Sequence, residues 1–166
     1  MGFFSRLFGW DNKQEVPVQT TKTEEGIPYD AGLVSKLKAD HQELLAMFGK
    51  ISQAAGAGQF DAVPKMLKRF KLDLQTHLVT ENVRFYVYVQ QRQAGDSGAS
   101  SLIADLRKEM NGIASAAVHF IGQYENAIFT EDVANQFRKD LAGIGEVLVQ
   151  RINTEESSLY TLYMPK

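Results

Sequence analysis

Hydrophobic residues recur at steps of three and four along most of the chain from residue 30 onward. That spacing returns side chains to one face of an α-helix, so each such stretch predicts an amphipathic helix with one buried stripe. The breaks "AAGAGQ" and "QAGDSGAS" and the start of "FTED" divide the pattern into four stretches. Strand-like alternation is confined to "RFYVYVQ". The pattern therefore predicts an all-α fold, an antiparallel up-down-up-down four-helix bundle.

Local signals predict where these helices begin. Asp30 is a good N-cap for the first helix, and Asp61 for the second, whose first turn tolerates Pro64. The third helix is predicted over roughly residues 101–127. Thr130 is the predicted cap of the fourth, followed by two acidic residues that suit the positive end of a helix.

The first 29 residues lack this periodicity and are predicted to be a flexible segment, with the bundle domain at residues 30–163. The polar part, residues 11–29, has the composition of a linker. The opening "MGFFSRLFGW" is rich in aromatics and suggests a short interfacial anchor for a membrane surface or a partner. The alternatives are that this N-terminal stretch is disordered or that it docks on the protein's own bundle. The anchor would use Phe3, Phe4, Leu7, Phe8 and Trp10.

Composition excludes several kinds of protein. A net charge of −2 argues against a general nucleic-acid binder, which needs a basic surface. The absence of cysteine excludes disulfides, thiolate catalysis and cysteine-ligated metal clusters, and it suits a cytoplasmic location. No apolar run reaches the roughly 18 residues of a membrane span, so no transmembrane segment is expected.

Five ionisable residues interrupt the hydrophobic stripes: His41, His77, Glu81, Arg151 and Glu155. Reflecting the helices through their loops places these residues at one level, to within about a turn. Facing helices that send imidazole and carboxylate groups to one level build metal sites. The alternative is a buried polar network in which the arginine pairs with the glutamates.

At these residues the chain resembles the hemerythrin-like HHE cation-binding family. The stretches "HQELL", "HLVTENVRFY" and "RINTEESSLYTLY" carry the resemblance, which covers about residues 30–163. It implies a di-iron centre held by a histidine on helix one, His-x-x-x-Glu on helices two and four, and a histidine on helix three. Matched by position, the implied metal ligands are His41, His77, Glu81 and Glu155.

Two positions depart from the family pattern. Arg151 stands where the helix-four histidine belongs, and Met110 is the best match for the helix-three ligand, because His119 faces outward. One interpretation is a single iron or other divalent metal, with Arg151 swung aside. The other, which we favour, is a degenerate site in which Arg151 replaces the metal as the central positive charge. A full di-iron centre is not expected, since arginine cannot ligate a metal.

The expected function is non-catalytic binding or sensing of a metal, with O2 or NO as further ligands. No Ser–His–Asp or Cys–His arrangement can be identified, so an enzyme is the third choice. The second is a metal-free regulatory bundle that acts through protein contacts in an anti-sigma manner. It is supported by a fainter resemblance of "IGEVLVQRINTEESSL" to the last helix of regulator-of-sigma-D (AlgQ-like) proteins.

Overall fold

The structure, a computed structural model, describes residues 26–165. Its α-helices are α1 (Leu33–Gly56), α2 (Val63–Thr80), α3 (Val87–Arg92), α4 (Ser97–Tyr124) and α5 (Glu131–Thr154). A π-helical segment, Glu81–Tyr86, joins α2 to α3. A second π-helical segment, Glu155–Leu159, and a 3₁₀ turn, Tyr160–Leu162, extend α5. The described residues contain no strand, so the predicted all-α fold is confirmed.

These elements form four rods, because α2 and α3 run on as one through their π-helical join. The first rod, α1, packs against α2 and α5, and α4 packs against the same two helices. Short loops connect consecutive rods and reverse the chain each time, which produces the predicted up-down-up-down bundle. The run "RFYVYVQ", the one strand-like stretch, lies in the π-helical segment and α3.

The predicted caps of the first two helices are wrong. The residues at the cap positions are Gly32 for α1 and Ala62 for α2, and neither helix has a side-chain cap. Asp30 instead accepts a hydrogen bond from the backbone N–H of Gly32 at 2.9 Å, and its other oxygen pairs with Arg84 at 2.6 Å. Asp30 therefore closes the turn that enters α1 rather than capping the helix.

The starts of the last two helices follow capping chemistry. Thr130 caps α5 as predicted, since its side chain accepts from the N–H of Val133. The α4 helix begins at Ser97, earlier than predicted, because Asp96 accepts from the N–H of Ala99 at 3.0 Å. The segment "QAGDSGAS", which the pattern predicted as a break between helices, thus contains the start of α4.

The interior consists of two hydrophobic clusters with a polar layer between them. On α1, Leu37 belongs to one cluster and Leu44 to the other, and His41 lies between them in sequence. In the second rod, Leu74 and Phe85 belong to different clusters, with His77 and Glu81 between them in sequence. We use "polar layer" for the buried side chains of His41, His77, Glu81, Arg151 and Glu155.

Two findings bear on membranes and on the N-terminal segment. Within residues 26–165, no helix is long and apolar enough to cross a membrane. The predicted anchor, Phe3, Phe4, Leu7, Phe8 and Trp10, lies outside the described residues.

Candidate metal centre

The polar layer brings together all five ionisable residues that the sequence placed on inward faces. Their side chains are at most 4% exposed. His119, which was predicted to face outward, is exposed on α4. Charged groups are rarely buried this completely unless they are paired or bind a metal. The contacts of each member decide between these two possibilities.

Arg151 lies between the two buried glutamates. Its Nη2 donates to Oε2 of Glu81 at 2.8 Å, and its Nε lies 2.6 Å from Oε1 of Glu155. Its Nη1 donates to the backbone carbonyl of Met110 on α4. Met110, the predicted helix-three position, is buried and contacts Arg151 through this carbonyl oxygen. Arg151 thus links the second, third and fourth rods and neutralises part of the buried negative charge.

Glu81 has both oxygens engaged. Oε2 accepts from Arg151, and Oε1 accepts from the hydroxyl of Tyr160 at 3.0 Å. Burial, followed by the negative charge of Glu155, raises the pKa of Glu81 to about 7, against the opposing effect of Arg151. These contacts hold Glu81 as a partner of the guanidinium.

His41 is held by carboxylates on both sides of its ring. Its Nδ1 lies 2.8 Å from Oε1 of Glu156, and its Nε2 lies 3.0 Å from Oε2 of Glu155. The Tyr160 hydroxyl is 3.3 Å from the same Nε2. Burial alone would lower the pKa of His41, but the nearby carboxylates of Glu155 and Glu156 outweigh this effect and raise the pKa. A carboxylate at Nδ1 fixes the tautomer that presents Nε2 to the site.

His77 is buried without a hydrogen-bond partner for either ring nitrogen. Its ring lies 4.7 Å from the ring of His41, centroid to centroid. Burial, and then the charge of His41, lowers the pKa of His77 to about 4. The imidazole is therefore neutral at neutral pH and keeps a lone pair for a ligand. An unpaired buried polar group of this kind calls for an explanation.

A bound metal ion would satisfy such a group. His41, His77 and Glu155 each offer one ligand atom, and these three atoms lie within 4.8 Å of one another in a fully buried group. Glu155 fits too: its oxygens are at ion-pair distance from His41 and Arg151, yet neither has hydrogen-bond alignment. Two imidazoles and a carboxylate are a donor set that suits iron, zinc or manganese. The residues present therefore fit one metal ion.

A family model described as the hemerythrin HHE cation-binding domain matches residues 32–163. The chain belongs to the hemerythrin HHE family. No curated protein and no solved structure matches it. The matched range contains every helix of the described bundle and the whole polar layer.

Three residues of this hemerythrin HHE site escaped the sequence analysis: Tyr160, Glu156 and Asp40. In a regular α-helix, Tyr160 would point about 140° away from Glu155, which lies five residues earlier in the chain. The π-helical segment that starts at Glu155 changes this, since its i→i+5 hydrogen bonds align residues five apart. Glu156 and Asp40 could have been noticed as acidic neighbours in sequence of two predicted ligands.

Proposed function

We propose that this hemerythrin HHE domain binds one divalent transition-metal ion through His41, His77 and Glu155, and serves as a non-catalytic binding or sensing module. The observation that carries the proposal is His77, which is buried, neutral and unpaired beside the other two ligands. Leaving both of its ring nitrogens unsatisfied in the core would cost free energy that a metal bond removes.

Arg151 takes the place of a second metal ion in this proposal. The family pattern implies two metals, and carboxylates that join them need a second positive centre. The guanidinium lies between Glu81 and Glu155 at hydrogen-bond and ion-pair distances and supplies that centre permanently. A guanidinium does not deprotonate in a protein, so it repels a second cation. We therefore expect one metal per chain and no di-iron centre.

His41, His77 and Glu155 would hold the metal ion. Iron(II) held there would supply the chemistry for reversible binding of a diatomic gas, O2 or NO. The protein's own contribution is the burial of the polar layer between two hydrophobic clusters, which limit the access of water. This arrangement favours sensing or storage over turnover of a larger substrate.

A metal-free regulatory bundle is the second candidate function, and the charge balance of the polar layer favours it. Glu81 and Glu155 face Arg151, and a protonated His41 adds a second positive charge. The network is then neutral without any metal, as in the degenerate site that the sequence suggested. In that case His77 would remain an unpaired core histidine.

Metal titration of the full chain separates the two candidates. Protein freed of metal with a chelator is titrated with Co²⁺, whose visible spectrum reports the ligands, and with Fe²⁺ under anaerobic conditions. We expect one ion per wild-type chain, and none in His77→Ala. His119→Ala, which removes an exposed histidine from α4, is the matched control and should bind as wild type does.

The outcomes are distinct. Two ions per chain would contradict the role given to Arg151. No binding by the wild type, with circular dichroism showing a folded bundle, would reject the metal site and leave the metal-free regulator. Equal binding by His77→Ala would remove the observation on which the proposal rests.

A further inference from the structure

A cleft of about 250 Å³ opens between α1 and α2, and His77 forms part of its lining. The α1 side contributes Lys36, Asp40 and Glu43, and Asp73 lies on the α2 side. Three carboxylates face one ammonium group and the guanidinium of Arg69, which pairs with Asp73 at 2.8 Å, so the cleft keeps a net negative charge that attracts cations from solution. The cleft is therefore a path from solvent to the buried imidazole of His77.

Asp40 lies where this path reaches the histidine. Its Oδ2 is 2.7 Å from Nζ of Lys36 and 3.5 Å from Nδ1 of His77. The first distance is a short ion pair, whereas the second is longer than a normal hydrogen bond. One carboxylate oxygen thus faces both an exposed lysine and a buried histidine, and it is bonded to the lysine.

The surroundings of His41 indicate a role for the contact between Asp40 and His77. His41 has Glu156 against its Nδ1 at 2.8 Å. Histidines that ligate metals almost always donate their second ring N–H to a carboxylate, a carbonyl or water, which orients the ring. Asp40 occupies the equivalent position for His77, but at 3.5 Å its contact is longer than a normal hydrogen bond.

We propose that Asp40 is the positioning residue for His77 and that the metal ion enters through this cleft. On binding, Asp40 exchanges Lys36 for Nδ1–H of His77, and the ring then presents Nε2 to the metal. Lys36 competes for Asp40 and so weakens the site when no metal is bound. This inference rests on the metal site proposed above.

The test compares the full-length wild type with Asp40→Asn, Lys36→Met and the control Glu43→Gln, which removes a charge from the same cleft. Co²⁺ affinity and the rate of Co²⁺ association are measured by absorbance. We expect Asp40→Asn to bind about 10- to 100-fold more weakly. Lys36→Met should bind more tightly and associate faster, and Glu43→Gln should change affinity by less than about fivefold.

A second measurement reads the position of the His77 proton directly and needs no metal. Nitrogen-15 NMR of the ring distinguishes the two neutral tautomers. We expect Nδ1–H in the wild type, more completely so in Lys36→Met, and a loss of this preference in Asp40→Ala. A purely structural role for Asp40 would not move the tautomer.

Each result decides one claim. If Asp40→Asn binds Co²⁺ as tightly as the wild type and Asp40→Ala keeps the wild-type tautomer of His77, the positioning role is overturned while the metal site stands. If the wild type binds no Co²⁺, the proposed function fails, and an Nε2–H tautomer in the wild type would then overturn the positioning role as well. An unchanged association rate in Lys36→Met would reject entry through the cleft.

Discussion

Arg151 is the residue on which the charge of the polar layer depends. Glu81 and Glu155 are fully buried and both lie against its guanidinium. Two carboxylates and one guanidinium leave a net negative charge, which a protonated His41 or a bound metal ion can neutralise. These three charges are therefore the basis for our proposal of one metal ion per chain.

Replacing Arg151 by methionine tests this dependence. The side chain keeps much of its length but leaves two buried carboxylates without their cation, which typically costs about 3–5 kcal/mol in the free energy of unfolding. Chemical denaturation in a chelating buffer measures the loss. Arg69→Met is the control, since Arg69 forms an ion pair of similar length with Asp73 on the surface.

The two variants should therefore differ widely. The surface pair is exposed to solvent and contributes little, so Arg69→Met should keep a denaturation midpoint close to that of the wild type. Similar midpoints for both variants would mean that Glu81 and Glu155 take up protons at no appreciable cost and do not depend on the guanidinium.

Among the elements, the two π-helical segments have the largest effect on the site. One begins at Glu81 and the other at Glu155, the two glutamates that face Arg151. Such segments are uncommon and are found mostly at functional sites. The second aligns Tyr160 with the site, where its hydroxyl contacts Glu81 and His41. Of the three proposed metal ligands, His41 and His77 therefore lie on α-helices, and Glu155 lies at the start of a π-helical segment.

A further prediction concerns the close packing of α5 on α1. A Cβ atom on Gly145 would lie 2.9 Å from Cε1 of Phe48, whereas one on Gly143 would meet nothing within 4 Å. Gly143→Ala should stabilise the helix by about 0.5–1 kcal/mol. Gly145→Ala gains the same helix propensity but must displace the Phe48 ring, so it should be about 1–3 kcal/mol less stable than Gly143→Ala.

Thermal or urea denaturation of the two glycine variants measures this difference. They sit two residues apart on the same helix, so helix propensity cancels between them. Equal stabilities would show that the Phe48 ring moves aside freely and that the α1–α5 contact is not tight at this point.

At the scale of the whole molecule, the polar layer makes stability depend on pH. The pKa of His77 is about 4 when folded and near 6.5 when unfolded, so the unfolded chain binds the proton first as pH falls. The contribution of the neutral His77 side chain to the free energy of unfolding is therefore complete above pH 6.5 and is lost as pH falls towards 4. Glu81 and His41 have raised pKa values and act in the opposite sense, since their contributions decline as pH rises.

The difference between wild type and His77→Leu isolates the histidine from these opposing groups. Without metal, the free energy of unfolding of the wild type, relative to the variant, should fall by on the order of 3 kcal/mol between pH 7 and pH 4. Urea denaturation at several pH values gives this difference. A difference that is independent of pH would show that His77 is protonated as easily in the folded protein as in the unfolded chain.

Much of the architecture was predictable because helix periodicity is a local property. The inward faces of α1, α2 and α5 follow from the spacing of neighbouring residues, and all five members of the polar layer are buried as the pattern indicated. The helix starts were less predictable. Asp30 and Asp61 have the chemistry of caps, but turn contacts engage Asp30, and neither residue caps its helix.

The sequence by itself determined four amphipathic rods and the set of ionisable side chains that they bury, since a repeat of 3.6 residues needs no information from distant parts of the chain. Only the tertiary structure decided how these side chains pair. Arg151 and Glu81 are 70 residues apart, and whether they bond depends on helix heights and rotations that differ by a few ångström. The second π-helical segment changes the rotation of the chain after Glu155 and so places Tyr160 in the site, where its hydroxyl contacts Glu81 and His41.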